Sequence, residues 1–159
     1  MQRPPLIAVC GTSLDEPGAM RDAEEVGALL AARGAVVVCG GRGGVMAAVA
    51  RGVRAGGGSS IGLLPGDDAN DACEDITVAL PTGLGEMRNA LIAHTSRAMI
   101  AIGGGYGTLS EIGFALRLGR PVAALRTWDI RRAGDEVPDA ALHRVDTPRE
   151  AVDWVLSQI

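Results

Sequence analysis

The sequence contains no lysine, since all 15 of its basic residues are arginine. A Walker P-loop uses a lysine to reach the β- and γ-phosphates of its nucleotide, and pyridoxal phosphate enzymes hold their cofactor as a lysine Schiff base. Both chemistries are therefore excluded for this chain.

Aromatic residues make up only 3% of the chain, and the formal net charge is −4 with a pI near 5.1. We expect no nucleic-acid partner, because the sequence has no basic stripe with interleaved aromatic residues. We also expect no membrane partner, since apolar runs such as Ala98–Ile102 are far too short to cross a bilayer. Residues 1–5 do not resemble a signal peptide, which predicts a cytoplasmic protein.

Cysteine is also scarce: Cys10, Cys39 and Cys73 are odd in number and lack the spacing of metal ligands. We interpret them as small buried thiols in a reducing compartment. A reactive or ligand-binding thiol is the alternative for Cys10 and Cys39, because each precedes a glycine at a predicted strand end. The carboxylates of residues 67–75 lack ordered ligand spacing and predict a solvated, mobile loop. We therefore expect no metal site and no cofactor.

Short apolar runs alternate with segments of helical periodicity along the whole chain. The predicted strands cover residues 6–10, 35–39, 60–64, 76–79, 98–102 and 122–125. The predicted helices cover residues 17–33, 45–55, 84–95, 107–118 and 148–158. This alternation predicts an α/β fold of a single domain over residues 1–159, a doubly wound, mostly parallel sheet in a Rossmann-like three-layer sandwich. Residues 126–144 are irregular and charged, and they receive no assignment.

In folds of this class, ligands bind at the carboxyl ends of the strands, where the strand order reverses. The first predicted strand ends at Gly11, Thr12 and Ser13. Small residues let the backbone approach a ligand closely, and the two hydroxyl groups can donate hydrogen bonds to it. These three residues are therefore candidates for ligand binding.

Residues 103–108, Gly-Gly-Gly-Tyr-Gly-Thr, are the strongest candidate for a ligand site. They join a predicted strand to a helix, so the free amide groups and the dipole of that helix favour an anion, most simply a phosphate. Tyr106 lies within this loop, and Thr108 can add a hydroxyl donor. The alternative is a tight turn whose glycines serve only the backbone angles.

Arg88 and Glu111 each lie about one turn into a predicted helix that follows a strand, so both are expected near the same edge of the sheet. An arginine can pair with a phosphate or carboxylate, and a glutamate there can accept from sugar hydroxyls. A surface arginine and an exposed glutamate are the alternative.

A second glycine-rich helix start covers residues 40–46. This segment can contact the base or sugar of a ligand, or it can serve only to let the helix pack closely on the sheet. Its candidate binding residues are Gly40, Gly41, Gly43, Gly44 and Met46.

These features together resemble the LONELY GUY (LOG) family, also called lysine decarboxylase-like proteins. Its motif P-G-G-x-G-T-x-x-E is matched by Gly-Gly-Gly-Tyr-Gly-Thr-Leu-Ser-Glu at residues 103–111, and Arg88 and Glu111 keep the family's separation of 23 residues. The segments 10–13 and 40–46 are also similar to family features. The resemblance spans roughly residues 6–125.

The resemblance implies a Rossmann-like protein, a homodimer or higher homo-oligomer, that binds a small phosphorylated ligand such as a nucleoside 5′-monophosphate. The family's enzymes hydrolyse the N-glycosidic bond and release a base and ribose 5-phosphate. In that role Glu111 would hold the ribose and stabilise its oxocarbenium-like charge, and Arg88 would assist at the reacting centre. The residues implied to hold the phosphate are Gly104, Gly105, Gly107 and Thr108.

Four positions depart from the pattern of the enzymes. Gly103 replaces a proline, Asn89 stands where a lysine is usual, Arg97 where an aspartate is common, and Ser110 where a first glutamate is found. These departures resemble a sister branch that includes molybdenum cofactor carrier proteins. The alternative function is therefore a non-catalytic carrier or sensor of a nucleotide or of the molybdenum cofactor.

Overall fold

Strands and helices alternate along the chain in the computed structural model, which describes residues 3–137 and 139–159. The strands are β1 (Leu6–Gly11), β2 (Val36–Cys39), β3 (Ser60–Leu64), β4 (Val78–Pro81), β5 (Ala98–Ile102), β6 (Val122–Leu125) and β7 (Leu142–Val145). The α-helices are α1 (Pro17–Ala32), α2 (Val45–Ala55), α3 (Arg88–Thr95), α4 (Tyr106–Arg117) and α5 (Pro148–Ser157). Short 3-10 helices occupy Ala69–Asp71 and Gly85–Met87.

The strands form one parallel sheet in the order β4-β3-β2-β1-β5-β6-β7. The strand order reverses at β1, which pairs with β2 on one side and with β5 on the other. This topology confirms the predicted doubly wound, Rossmann-like α/β fold. The reversal places the loops that follow β1 and β5 next to each other at the carboxyl edge of the sheet.

Alternate residues of the central strands pack against opposite helical layers. Ile7 and Val9 belong to a buried cluster with α1, α2 and α5, while Ala8 and Cys10 belong to a second cluster with α3 and α4. Successive side chains of a strand point to opposite faces, so a continuously apolar strand such as β1 requires both layers.

Glycine allows α1 and α2 to approach each other closely. A Cβ atom at Gly52 would lie 2.0 Å from the carbonyl oxygen of Glu24, and one at Gly27 would lie 2.3 Å from that of Val49. Part of the high glycine content therefore serves helix packing rather than ligand binding.

The structure corrects three sequence predictions. The fourth strand, predicted at residues 76–79, lies at Val78–Pro81, and the helix predicted from residue 84 becomes α-helical only at Arg88. Strand β7 lies in the segment that received no assignment. Its two central residues, His143 and Arg144, are exposed at the edge of the sheet, and so it lacks the apolar run of a buried strand.

Within the described part of the chain, no helix combines the length and the apolar character needed to cross a membrane. The acidic loop that was predicted to be mobile contains the 3-10 helix Ala69–Asp71, where the Asp68 carboxylate accepts from the amide of Asn70 at 2.8 Å.

Candidate functional site

A cavity of about 660 Å³ opens at the edge of the sheet where the strand order reverses. Its walls come from the loops after β1, β2 and β5 and from the starts of α3 and α4. The lining residues are Gly11, Thr12, Ser13, Leu14, Arg42, Gly43, Met46, Glu86, Arg88, Asn89, Gly105, Tyr106, Gly107, Thr108 and Glu111. The structure therefore brings both candidate helix starts and both candidate catalytic residues to one cavity.

Four predicted binding glycines lie outside this lining and shape the loops behind it. Gly41, Gly44 and Gly104 have positive φ angles of 74°, 61° and 97°. A Cβ atom at Gly44 would lie 2.3 Å from the carbonyl oxygen of Thr12, and one at Gly104 would lie 2.1 Å from Thr108 Oγ1. At Gly40, a Cβ atom would lie 2.6 Å from Arg88 Nη1. Gly41, Gly44 and Gly104 therefore allow the backbone conformation of these loops, and Gly40 leaves room for the Arg88 side chain.

The start of α4 forms one wall of the cavity. Gly105 is the N-cap residue, and Gly105, Tyr106, Gly107 and Thr108 all line the cavity. The first amide groups of a helix have no intrahelical partner and carry a partial positive charge, so this wall is suited to an anion. Thr108 is only 3% exposed, and it packs beneath Gly104.

Glu111 lies one turn further along α4 and is 7% exposed. Burial raises the pKa of its carboxyl group to about 8, although the nearby Arg88 guanidinium and a hydrogen bond with the Cys10 thiol act in the opposite direction. The carboxyl group is therefore mostly protonated at pH 7. In that state it can donate a hydrogen bond as well as accept one.

Arg88 is the first residue of α3 and is also 7% exposed. Its Nη1 donates to the carbonyl oxygen of Gly40 at 2.6 Å and to that of Leu63, while its Nε has no partner among the described residues. Burial lowers the pKa of the guanidinium, and the nearby Glu111 opposes this effect.

The ion pairs within residues 3–137 and 139–159 do not include one between Arg88 and Glu111. Both side chains are buried in the cavity wall, so the alternative of a surface arginine and an exposed glutamate is wrong.

Asn89 and Ser110, two of the departures from the enzyme pattern, are in contact across α3 and α4. Asn89 Nδ2 donates to Ser110 Oγ at 3.0 Å, and Ser110 Oγ donates to the carbonyl oxygen of Gly107 at 2.6 Å. A neutral hydrogen-bonded pair therefore lies beside the cavity.

Sequence reasoning missed Leu14, Arg42, Glu86 and Asn89 as lining residues. Arg42 lies inside the second glycine-rich helix start, and Glu86 lies in the short 3-10 helix that precedes α3. The signal for Arg42 was its position within that loop, whereas a lone glutamate two residues before Arg88 carried no distinguishing signal.

Cys10 and Cys39 are buried, as predicted, whereas Cys73 is only partly buried. Burial raises the pKa of the Cys10 thiol well above its usual value, with Glu111 adding to the effect, and burial raises the pKa of Cys39 to about 12. Reactive thiols need a lowered pKa, so the alternative of a nucleophilic cysteine is not supported. In the part of the chain that is described, no group of three or more His, Cys, Asp or Glu side chains is arranged to hold a metal ion.

The fold and the cavity define a doubly wound α/β protein with a cavity at the reversal of the strand order. The profile of the SLOG cluster4 family matches residues 4–152, and the chain belongs to this family. The resemblance to the LOG family is thereby confirmed.

Two sequence relatives differ in how much of their length is matched. An uncharacterised protein of Archaeoglobus fulgidus is 38% identical over 152 residues, which cover 95% of this chain and 94% of that protein. A probable cytokinin riboside 5′-monophosphate phosphoribohydrolase of rice is 40% identical over 107 residues, which cover 65% of this chain and 47% of the rice protein.

Two solved structures match over nearly the full length. The molybdenum cofactor binding protein of Rippkaea orientalis superposes with a TM-score of 0.90 at 30% identity and covers 99% of both chains. The molybdenum cofactor carrier protein of Chlamydomonas reinhardtii superposes with a TM-score of 0.83 at 28% identity and covers 98% of both chains.

Proposed function

We propose that this protein binds a small phosphorylated molecule in the cavity, with the phosphate on the first turn of α4. The observation that carries this proposal is the wall formed by Gly105, Tyr106, Gly107 and Thr108, whose helix-start amides border the cavity. The Arg88 guanidinium lines the same cavity without an ion-pair partner among the described residues, and its positive charge favours an oxygen-rich ligand.

A carrier or sensor is the role that the site favours. Burial raises the pKa of Glu111 and so disfavours the ionised carboxylate that would stabilise an oxocarbenium ion. Arg88 is engaged with main-chain carbonyl groups, and Asn89 and Ser110 form a neutral pair. The full-length similarity to molybdenum cofactor binding and carrier proteins supports the molybdenum cofactor as the ligand.

Hydrolysis of a nucleoside 5′-monophosphate is the second candidate, because Arg88 and Glu111 line one cavity and the rice relative is a probable phosphoribohydrolase. In this reaction the bond between C1′ and the base breaks, and its electron pair leaves with the base. Water then adds to C1′ and loses a proton to give ribose 5-phosphate, while the departing base takes up one proton. Glu111 would have to lose its proton as positive charge develops on the ribose.

The two candidates are separated by measuring binding and turnover with AMP. We expect AMP to bind at least tenfold more tightly than adenosine in a calorimetric titration, because only AMP carries the phosphate. Equal affinities would contradict the proposal. Release of adenine by the wild type but not by Glu111→Gln would favour the hydrolase, and Glu25→Gln, on the exposed side of α1, serves as the matched control.

We further propose that the chain forms a homodimer through the layer of α3 and α4. Exposed apolar side chains lie on or beside these helices, namely Leu84, Met87 and Phe114, of which Met87 is 72% exposed. Burying such a patch favours association. Sedimentation is expected to give a dimer for the wild type and a monomer for Met87→Glu, and a wild-type monomer would contradict this part of the proposal.

A further inference from the structure

Two residues that follow β6 donate hydrogen bonds to residues 103–108, which we call the phosphate loop. Thr127 Oγ1 donates to the carbonyl oxygen of Gly103, and Trp128 Nε1 donates to that of Gly105 at 3.1 Å. The Trp128 ring also lies 5.7 Å from the ring of Tyr106, centroid to centroid, at an interplanar angle of 36°. Neither Thr127 nor Trp128 belongs to the lining of the cavity.

These bonds set the direction of the amide groups of the loop. In a trans peptide unit, the carbonyl group and the following N–H point in opposite directions. A carbonyl of Gly105 that faces Trp128 therefore turns the amide of Tyr106 away from Trp128, and a carbonyl of Gly103 that faces Thr127 does the same for the amide of Gly104. The loop depends on such support, because Gly103 and Gly104 have φ angles of 56° and 97°, a region that glycine enters freely.

The Trp128 contact is additional to the helix itself. The carbonyl oxygen of Gly105 also accepts from the amide of Leu109 at 3.0 Å, which is the first hydrogen bond of α4. The helix can therefore form without the indole, while the orientation of its first peptide group gains a second anchor.

We propose that Thr127 and Trp128 are positioning residues that orient the amide N–H groups of the phosphate loop toward an anionic ligand. The inference rests on the proposed function, since it requires a phosphate at the start of α4. A separate observation in the same cavity also favours a ligand with acceptor oxygens: Arg88 lines the cavity, its side chain is only 7% exposed, and it has no ion-pair partner among the described residues.

Three substitutions distinguish a role in orienting the amide groups of the phosphate loop from a role in side-chain packing alone. Trp128→Phe keeps an aromatic ring against Tyr106 and removes the N–H donor, and Thr127→Val keeps the shape of the side chain and removes the hydroxyl. Thr127→Ser retains the hydroxyl and is expected to behave as the wild type. Trp154→Phe is the matched control, because Trp154 is also half-buried against the core and stacked on another ring, that of His143 at 4.6 Å.

The measurement is the ratio of the dissociation constants of adenosine and AMP, because a general loss of structure weakens both ligands. We expect Trp128→Phe and Thr127→Val each to lower this ratio roughly threefold to tenfold, the effect of losing one hydrogen bond that supports a charged contact. Thr127→Ser and Trp154→Phe are expected to leave it within twofold of the wild type.

A wild type that binds AMP preferentially, together with an unchanged ratio in Trp128→Phe and Thr127→Val, would overturn the positioning role alone. A wild type without preference for AMP would overturn the phosphate site and this inference with it. Fluorescence gives an independent readout, since Trp128 is the remaining tryptophan in Trp154→Phe. Its emission is expected to change on addition of AMP but not of adenosine, and an identical response to both would contradict the inference.

Discussion

Glu111 is an acidic side chain that the fold places among buried groups without an ion-pair partner within the described residues. Desolvation disfavours its charged form, and the nearby guanidinium of Arg88 compensates only in part. The proton held at pH 7 makes this side chain a hydrogen-bond donor toward the cavity. In the proposed carrier role, this proton lets Glu111 donate a hydrogen bond to the ligand.

The raised pKa of Glu111 predicts a pH-dependent effect of Glu111→Gln. Between the ordinary value of 4.5 and the native value of about 8, the native state binds more protons than the unfolded state, so ionisation progressively destabilises the fold as pH rises. Glutamine does not titrate. The free energy of unfolding of Glu111→Gln relative to wild type is therefore expected to rise by roughly 3 kcal/mol from pH 5 to pH 8 and to level off above about pH 9.

Denaturant titrations at several pH values measure this effect, with Glu25→Gln, at an exposed position of α1, as the control. A difference between Glu111→Gln and wild type that stays constant from pH 5 to pH 9 would show that the carboxyl group titrates normally in the native state.

Gly104 is the residue at which a methyl group is expected to do the most damage to the phosphate loop. Its φ angle is 97°, and a Cβ atom would lie 2.1 Å from Thr108 Oγ1 and 2.5 Å from Thr108 Cβ. Gly104→Ala is expected to lower the free energy of unfolding by roughly 2 to 4 kcal/mol and to weaken AMP binding.

Gly18→Ala is the matched control for thermal unfolding, because a Cβ atom at Gly18, in the first turn of α1, meets nothing within 4 Å. Equal stability of Gly104→Ala and Gly18→Ala would contradict the close contact between Gly104 and Thr108.

At the scale of elements, α3 and α4 are joined beside the cavity by the pair Asn89 and Ser110. The LOG resemblance places a lysine and a glutamate at these positions in the enzymes, so we expect the effects of exchanging the two residues to be coupled. Asn89 is only 4% exposed, and a lone lysine there would bury a charge without a partner.

A double-mutant cycle tests this coupling. Asn89→Lys alone is expected to destabilise the fold by about 2 kcal/mol or more, and adding Ser110→Glu is expected to recover at least about 1 kcal/mol of that loss. Chemical denaturation measures the four free energies. If the effects of the two substitutions simply add, the coupling does not exist.

The elements were predictable where the chain is buried. Strand β5 and helices such as α2 agree in their bounds with the sequence prediction, because continuous apolar runs and flanking glycines mark them. Strand β4 was displaced and β7 was missed, since both lie at edges of the sheet, where the partner strand rather than the apolar pattern determines which residues pair. The 3-10 turn before α3 likewise has no apolar periodicity.

At the scale of the whole molecule, the site was predictable where it follows from topology. Parallel strands bring their carboxyl ends to one edge, which is why Thr12, Arg88 and Glu111 could be expected at one cavity from their positions alone. Their charge states, and the contacts of Arg88 with main-chain carbonyl groups, depend on burial in the assembled fold. The support from Thr127 and Trp128 escaped prediction because it comes from a segment without a periodic pattern.

The central claim is that a phosphate binds the first turn of α4, and amide chemical shifts test it most directly. In a ¹⁵N NMR titration with AMP, we expect the largest shifts at the amides of Tyr106, Gly107 and Thr108, because hydrogen bonds from an anion alter those N–H groups first. Inorganic phosphate is expected to shift the same amides, and adenosine is not. Saturable binding of AMP that leaves these three amides unshifted would contradict the account.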